Sequence, residues 1–230
     1  MSSNLLKRII TSVCLLTFLT IVIFTNDFIF IISILITGLI ICFESNSMFL
    51  KLTNFNSSKK NLINKKISFK FLMLNILTFF YIFFIFCNFS YEIYRIHGSI
   101  FFIYLISICF FTDIGGYVFG KSIGGKKLTK ISPNKTISGT IGSFLFSLIP
   151  FILFYNLDYL DLELDLWNFT FIFLVSLISQ LGDLLISFFK RKANIKDTGR
   201  ILPGHGGVLD RLDGIIFAIP FSYILLILFK

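Results

Sequence analysis

Seven stretches of this chain consist almost wholly of Phe, Ile, Leu and Val, with polar residues held to their ends. They cover about 9–25, 28–43, 69–89, 98–119, 138–155, 167–190 and 212–229. A helix needs about 20 apolar residues to cross the hydrocarbon of a bilayer, and most of these runs approach that length. The pattern predicts an all-α fold, a polytopic integral membrane protein of about seven transmembrane helices. The first two runs are short, and Thr25-Asn26-Asp27 between them predicts a tight helical hairpin. Lys7 and Arg8 before an apolar run also suit a signal peptide. No small-residue cleavage site follows and a second apolar run does, so a retained helix is expected.

The sixth run departs from uniform apolarity. Ser176, Gln180, Asp183, Ser187 and Lys190 or Arg191 recur at three- and four-residue spacing, which puts them on one helical face. A polar stripe on a lipid-buried helix must face protein or water, and an aspartate at a helix centre costs about 2.5–3.5 kcal/mol to insert. A packing seam in which Asp183 pairs with a lysine accounts for such a stripe; so does a metal or substrate site.

Composition supports the membrane reading. The 230 residues are 56% hydrophobic and only 14% charged, with a mean hydropathy of +0.88, too apolar for a soluble domain of this length. No linker or fixed-period repeat divides the chain. A single membrane-embedded domain over 1–230 is expected, with N-terminal helices in 1–97 and the motif-bearing helices in 98–230. Cys14, Cys42, Cys87 and Cys109 lie in separate apolar runs without CxxC spacing and read as small buried hydrophobes.

The net charge of +9 matters through its placement. Basic residues gather before the first run and between runs two and three, four and five, and six and seven. Only Arg95 and Lys230 of the 21 Lys and Arg fall on the other side, where Asp158, Asp161, Glu163 and Asp165 collect. The positive-inside rule puts the N-terminus and the three basic loops in the cytoplasm. Loops tied to membrane helices in this way disfavour a nucleic-acid partner.

Two of the basic loops mix charge with glycine and carboxylate. After run six, Lys190, Arg191, Lys196, Arg200 and Arg211 offer phosphate-binding charge. Gly204, Gly206 and Gly207 let the backbone approach a ligand. Asp210 and Asp213, three apart, suit one face at the start of run seven, and carboxylates among neutral oxygens suit Mg²⁺. His205 makes no zinc site, because His97 is expected on the opposite face. In the other loop, Asp113 and Tyr117 are one helical turn apart, and Ser132-Pro133-Asn134-Lys135-Thr136 precedes run five. Such a segment is a plain helix cap or a phosphate cradle; the G-x-x-x-x-G-K-[ST] order is absent. Together these residues predict a cytoplasm-facing pocket for a nucleoside polyphosphate and a lipid phosphate.

The residues from Ser187 to Asp213 resemble a known signature. Ser187-Phe-Phe-Lys190-Arg191, then Lys196-Asp197, Gly199, Pro203, His205-Gly206-Gly207 and Asp210-Arg211-Leu212-Asp213 are similar to the hallmark of the phosphatidate cytidylyltransferase (CDP-diglyceride synthase) family. Gly182-Asp183 resembles the family's upstream Gly-Asp, Ser132 to Thr136 its Ser-Pro-Lys-Lys-Thr segment, and Asp113 with Tyr117 its upstream Asp and Tyr. The resemblance covers the C-terminal half; the N-terminal half matches only as a hydrophobic pattern. The chain is shorter than typical members, as though one or two N-terminal spans were missing.

The resemblance implies the reaction of CTP with phosphatidate to give CDP-diacylglycerol and diphosphate. It also implies an inner (plasma) membrane location with the site facing the cytoplasm, and a homodimer. Asp183 and Asp210 would ligate Mg²⁺, with K⁺ as a second cation, and would be catalytic together with Lys190 and Arg211. Ser187, Arg191, Lys196, Asp197, His205, Gly206, Gly207, Asp213, Asp113, Tyr117, Ser132, Lys135 and Thr136 would bind substrate. Two positions depart from the pattern: Asn134 where Lys is common and Ser138 where Glu is frequent. A transporter would also display intramembrane aspartates. A related enzyme acting on a polyprenol or an ether lipid would share the same pocket chemistry.

Overall fold

The structure, a computed structural model, describes residues 3–54, 64–129, 132, 135–160, 162–204 and 206–229. Of the positions named above, Pro133, Asn134, Asp161, His205 and Lys230 lie outside the described residues. The helices are α1 (Ser3–Phe24), α2 (Asp27–Asn54), α3 (Asn64–Phe80), α4 (Asn88–Ser122), α5 (Ile137–Asn156), α6 (Leu166–Lys192), α7 (Leu209–Leu212) and α8 (Ile215–Leu228). A π-helical segment, Tyr81–Cys87, joins α3 to α4. Among the described residues there is no strand, only isolated bridges at Lys127–Thr136 and Leu202–Gly206.

Among the described residues, four helical runs are long and apolar enough to cross a membrane: Asp27–Thr53, Phe69–Ser122, Ile137–Asn156 and Leu166–Lys192. Val13–Phe24 and Ile215–Leu228 are shorter apolar helices. The chain is therefore a multi-pass α-helical membrane protein. The second run has 54 residues. That is far more than one crossing of the hydrocarbon needs. It breaks at Gly98, where φ 83° and ψ 173° leave the helical region. Only glycine takes that conformation without steric cost.

The helix limits differ from the sequence reading in two places. The second run was expected to end near residue 43, before the polar Glu44-Ser45-Asn46-Ser47, but α2 continues to Asn54. Glu44 and Ser45 are buried, so their polarity is met by protein and gives no reason to stop the helix. The seventh run was expected to start at 212 with Asp210 and Asp213 on one helical face. Instead α7 ends at Leu212, α8 starts at Ile215, and Asp213 falls in the gap. Next to it Gly214 packs tightly on α6: a Cβ there would lie 2.9 Å from the Ser179 carbonyl oxygen.

The chain forms two compact units. The first comprises Met1–Tyr91 and Phe189–Leu212. In it Met48, Phe49 and Ala193 form a buried cluster, covered by Leu52, Phe71, Leu74, Phe189 and Ile195. Phe49 and Phe189 meet edge to face at 6.0 Å. Gly38 on α2 lets the π segment close in: a Cβ there would lie 3.1 Å from both Cys87 Sγ and Ile82. Cys87 is buried as expected of a small hydrophobe, whereas Cys14 is exposed on the outer face of α1.

The second unit comprises Glu92–Phe188 and Asp213–Lys230. Asp165 caps α6 by accepting the Asn168 N–H at 2.9 Å. Thr112 on α4 donates to Ser176 on α6 at 2.9 Å, and Gln180 reaches the same hydroxyl at 3.4 Å. The polar stripe of α6 thus faces protein, as its spacing required. The α4 and α5 backbones touch through glycine: a Cβ at Gly115 would meet Phe146 Cβ at 2.6 Å and the Gly142 carbonyl carbon at 2.9 Å. Gly115→Leu is expected to force these helices apart at a cost of about 1–3 kcal/mol. A fall of several degrees in the thermal unfolding midpoint of the purified protein checks this.

Candidate active site

In the second unit the loop from α4 to α5 is shaped by Gly124 and Gly125, whose φ values of 64° and 108° favour glycine. A short ladder closes it: the Leu128 N–H donates to the Lys135 carbonyl at 2.8 Å and the Ile137 N–H to that of Lys126 at 3.0 Å. Thr136 is the N-cap of α5, accepting the Gly139 N–H at 3.1 Å. Its plain capping role is therefore realised. Ser138, where the resembled pattern often has Glu, donates to the Gly124 carbonyl and pairs with Thr136 Oγ1 at 2.9 Å. A hydroxyl at this position holds the turn.

This architecture leaves a cavity of about 290 Å³ lined by Asp113, Gly116, Tyr117, Ser132, Lys135, Thr136, Gly139, Thr140, Ser143, Gln180 and Asp183. Six residues expected to bind substrate or metal (Asp113, Tyr117, Ser132, Lys135, Thr136 and Asp183) therefore share one wall. Lys135 Nζ lies 2.5 Å from Asp183 Oδ2. Ser187, one turn further along α6, donates to Asp183 Oδ1 at 3.2 Å. The alternative of Asp183 paired to a lysine and that of a polar site are thus both met, since the pair stands in a cavity wall. Asp213, also in this unit, is buried and accepts the Gly214 N–H at 3.1 Å.

The first unit holds the other array. Leu202 and Gly206 exchange backbone hydrogen bonds of 2.9 and 3.1 Å across a tight turn, with Gly204 at φ 79° and Gly206 at φ 89°. The turn brings the chain back to α7. Asp210 is buried there by its partners. Its Oδ1 accepts from Lys190 Nζ at 2.9 Å, and its Oδ2 accepts the Thr198 N–H at 2.8 Å and the Gly207 N–H at 2.9 Å. Burial pushes the Asp210 carboxyl up, but the Lys190 ammonium and the two N–H groups outweigh it and hold it below the usual carboxylate range. Asp210 is therefore ionised at neutral pH. Gly206 packs between the Asp210 and Asp197 side chains, where a Cβ would lie 3.0 Å from Asp210 Oδ2. Arg191, Lys196, Asp197 and Arg211 are exposed around this loop.

Glu44 is the residue that sequence reasoning missed. It is 2% exposed and takes three hydrogen bonds from the same loop. Its position just after the second apolar run gave no sign of these partners, which lie far along the chain.

The site chemistry fits a hard cation. The cavity wall of the second unit offers carboxylates, an amide and hydroxyls, with no sulfur or imidazole. Among the described residues Asp210 Oδ1 accepts from Lys190, and a carboxylate oxygen has room for a second partner. Mg²⁺ is commonly held by one or two carboxylates plus substrate phosphates. Among the described residues no cluster of three or more His, Cys, Asp or Glu forms an all-protein cage.

Apolar spanning helices bearing ion-paired carboxylates beside glycine-shaped basic loops define a polytopic membrane protein equipped to meet phosphate. The chain belongs to the cytidylyltransferase family, whose sequence pattern matches residues 40–229. It is 47% identical over 136 residues to a phosphatidate cytidylyltransferase of Staphylococcus aureus (strain COL), covering 58% of this chain and 51% of the relative. The phosphatidate cytidylyltransferases of Staphylococcus haemolyticus (strain JCSC1435) and Staphylococcus epidermidis (strain ATCC 12228 / FDA PCI 1200) are each 44% identical over 136 residues, with the same 58% and 51% coverage. The chain spans about half the length of the curated relatives it matches.

Proposed function

We propose that this protein transfers the cytidylyl group of CTP to phosphatidate, giving CDP-diacylglycerol and diphosphate. The observation that carries the reading is the Lys135–Asp183 pair in an oxygen-lined cavity, in a chain 44–47% identical to proteins named phosphatidate cytidylyltransferase. A phosphatidate oxygen attacks the α-phosphorus of CTP, the bond from that phosphorus to the α,β-bridging oxygen breaks, and diphosphate leaves. The attacking oxygen is already ionised at neutral pH, so no general base is required. The barrier lies in bringing a lipid phosphate anion to a triphosphate, and cationic side chains must offset that repulsion.

Roles for the chain's own groups follow. Lys135 and the hydroxyls of Ser132 and Thr136 receive phosphate oxygens at the head of α5. Lys190 fixes the Asp210 carboxylate. Arg191, Lys196 and Arg211 are exposed and meet phosphate charge, the arginines in bidentate fashion. Ser187 orients Asp183. The resemblance makes Asp183 and Asp210 each a candidate ligand for Mg²⁺, and K⁺ a candidate second cation. When bound, Mg²⁺ would offset charge on the reacting phosphates and the departing diphosphate. The one-sided distribution of Lys and Arg supports a site on the cytoplasmic side of the membrane, and the resemblance implies the plasma membrane.

Diphosphate release by the purified protein in phosphatidate-containing vesicles tests the proposal. Release is expected only with CTP and Mg²⁺ together, and excess EDTA is expected to stop it. Release that requires a polyprenol in place of phosphatidate, or that persists in EDTA, would contradict the reading.

A further inference from the structure

We infer that Glu44 of α2 is a positioning residue for the Asp210 loop. Its Oε1 accepts the Val208 N–H at 3.0 Å, and its Oε2 accepts the Leu209 N–H at 2.8 Å and the Thr198 hydroxyl at 3.1 Å. Two of these donors come from the backbone at the start of α7, where N–H groups have no helical partner. The loop also lies against the carboxylate on two sides: a Cβ at Gly199 would be 2.8 Å from Glu44 Cδ, and one at Gly207 would be 2.7 Å from it.

Thr198 connects this grip to Asp210. Its hydroxyl goes to Glu44 while its backbone N–H goes to Asp210 Oδ2. Gly207 gives its N–H to the same Asp210 oxygen, and the next residue gives its own to Glu44. Both carboxylates thus hold the same two stretches of backbone, one from α2 and one from α7. An acid placed inside a span and satisfied wholly by one loop is a costly device for mere packing. Here it sets the loop that in turn aims Asp210. Partners of this kind, one step removed from a ligand, typically change activity 10–100-fold when lost.

The kinetic half of the test rests on the function proposed above; the exchange half does not. Glu44→Gln keeps the shape, but its amide NH₂ cannot accept, so either the Val208 or the Leu209 N–H loses its acceptor. In the full chain reconstituted in lipid, hydrogen exchange over residues 198–212 is expected to speed up by about 10-fold or more, with α5 unchanged. In the same preparation kcat is expected to fall about 10–100-fold while the KM for CTP moves by less than about threefold. Thr198→Val removes one bond of the three and is expected to show both effects more weakly, and Thr198→Ser to restore both. If Glu44→Gln does not fold, Thr198→Val is judged by the same readouts. Unchanged exchange over 198–212 in the folded variant overturns the inference, as does faster exchange with unaltered kcat. Faster exchange in a protein whose wild type transfers no cytidylyl group upholds the anchor and removes the proposed function instead.

Discussion

Asp210→Asn is expected to reduce cytidylyl transfer at least about 100-fold and to destabilise the protein as well. The two losses have separate causes. An asparagine oxygen can still accept the Thr198 and Gly207 N–H groups, but its NH₂ then faces the Lys190 ammonium. The pair is buried, with side-chain exposures of 11% for Lys190 and 5% for Asp210. Removing one partner of such a pair strands a charge and costs about 3–5 kcal/mol. Adding Lys190→Met removes the stranded ammonium. The double variant is expected to regain most of the lost thermal stability and none of the activity. Thermal unfolding and the transfer assay on matched amounts of folded protein check this. Recovery of both together would show that Asp210 acts on the fold alone.

Asp183→Asn is expected to behave differently. Its partner Lys135 is partly exposed, with side-chain exposures of 28% and 26% for Lys135 and Asp183. An ion pair so open to solvent contributes about 0–1 kcal/mol. The asparagine oxygen can still accept the Ser187 hydroxyl. Unfolding should therefore move by no more than a few degrees, while transfer falls at least about 100-fold through loss of a charged ligand. Wild-type turnover in this variant would remove Asp183 from the reaction.

The contrast between these aspartates shows what a linear pattern carries. Asp183 stood out because Ser176, Gln180 and Ser187 share its helical face, and the structure brings that face against Thr112 and the cavity. In the apolar pattern run three ends at about 89 and run four starts at about 98, and the helical break falls at Gly98. Glu44 was not legible, because its donors lie 154 to 165 residues away and leave no periodic trace near residue 44. The apolar pattern ends the second run at about residue 43, yet α2 continues through Glu44 and Ser45, both buried. Asp213 misled in the opposite sense: its spacing from Asp210 suited one helix, but it falls between α7 and α8, beside a Gly214 packed on Ser179. Local periodicity reports which face of a helix is buried. It does not report which distant loop is held there.

The central claim is that the α-phosphorus of CTP is the atom attacked. The direct measurement is to supply the protein, in vesicles containing phosphatidate and Mg²⁺, with CTP labelled at either the α- or the γ-phosphorus. The account predicts α-label in the lipid and γ-label in released diphosphate, in equal amounts. Label from the γ-position in the lipid, or no labelled lipid at all, would contradict it.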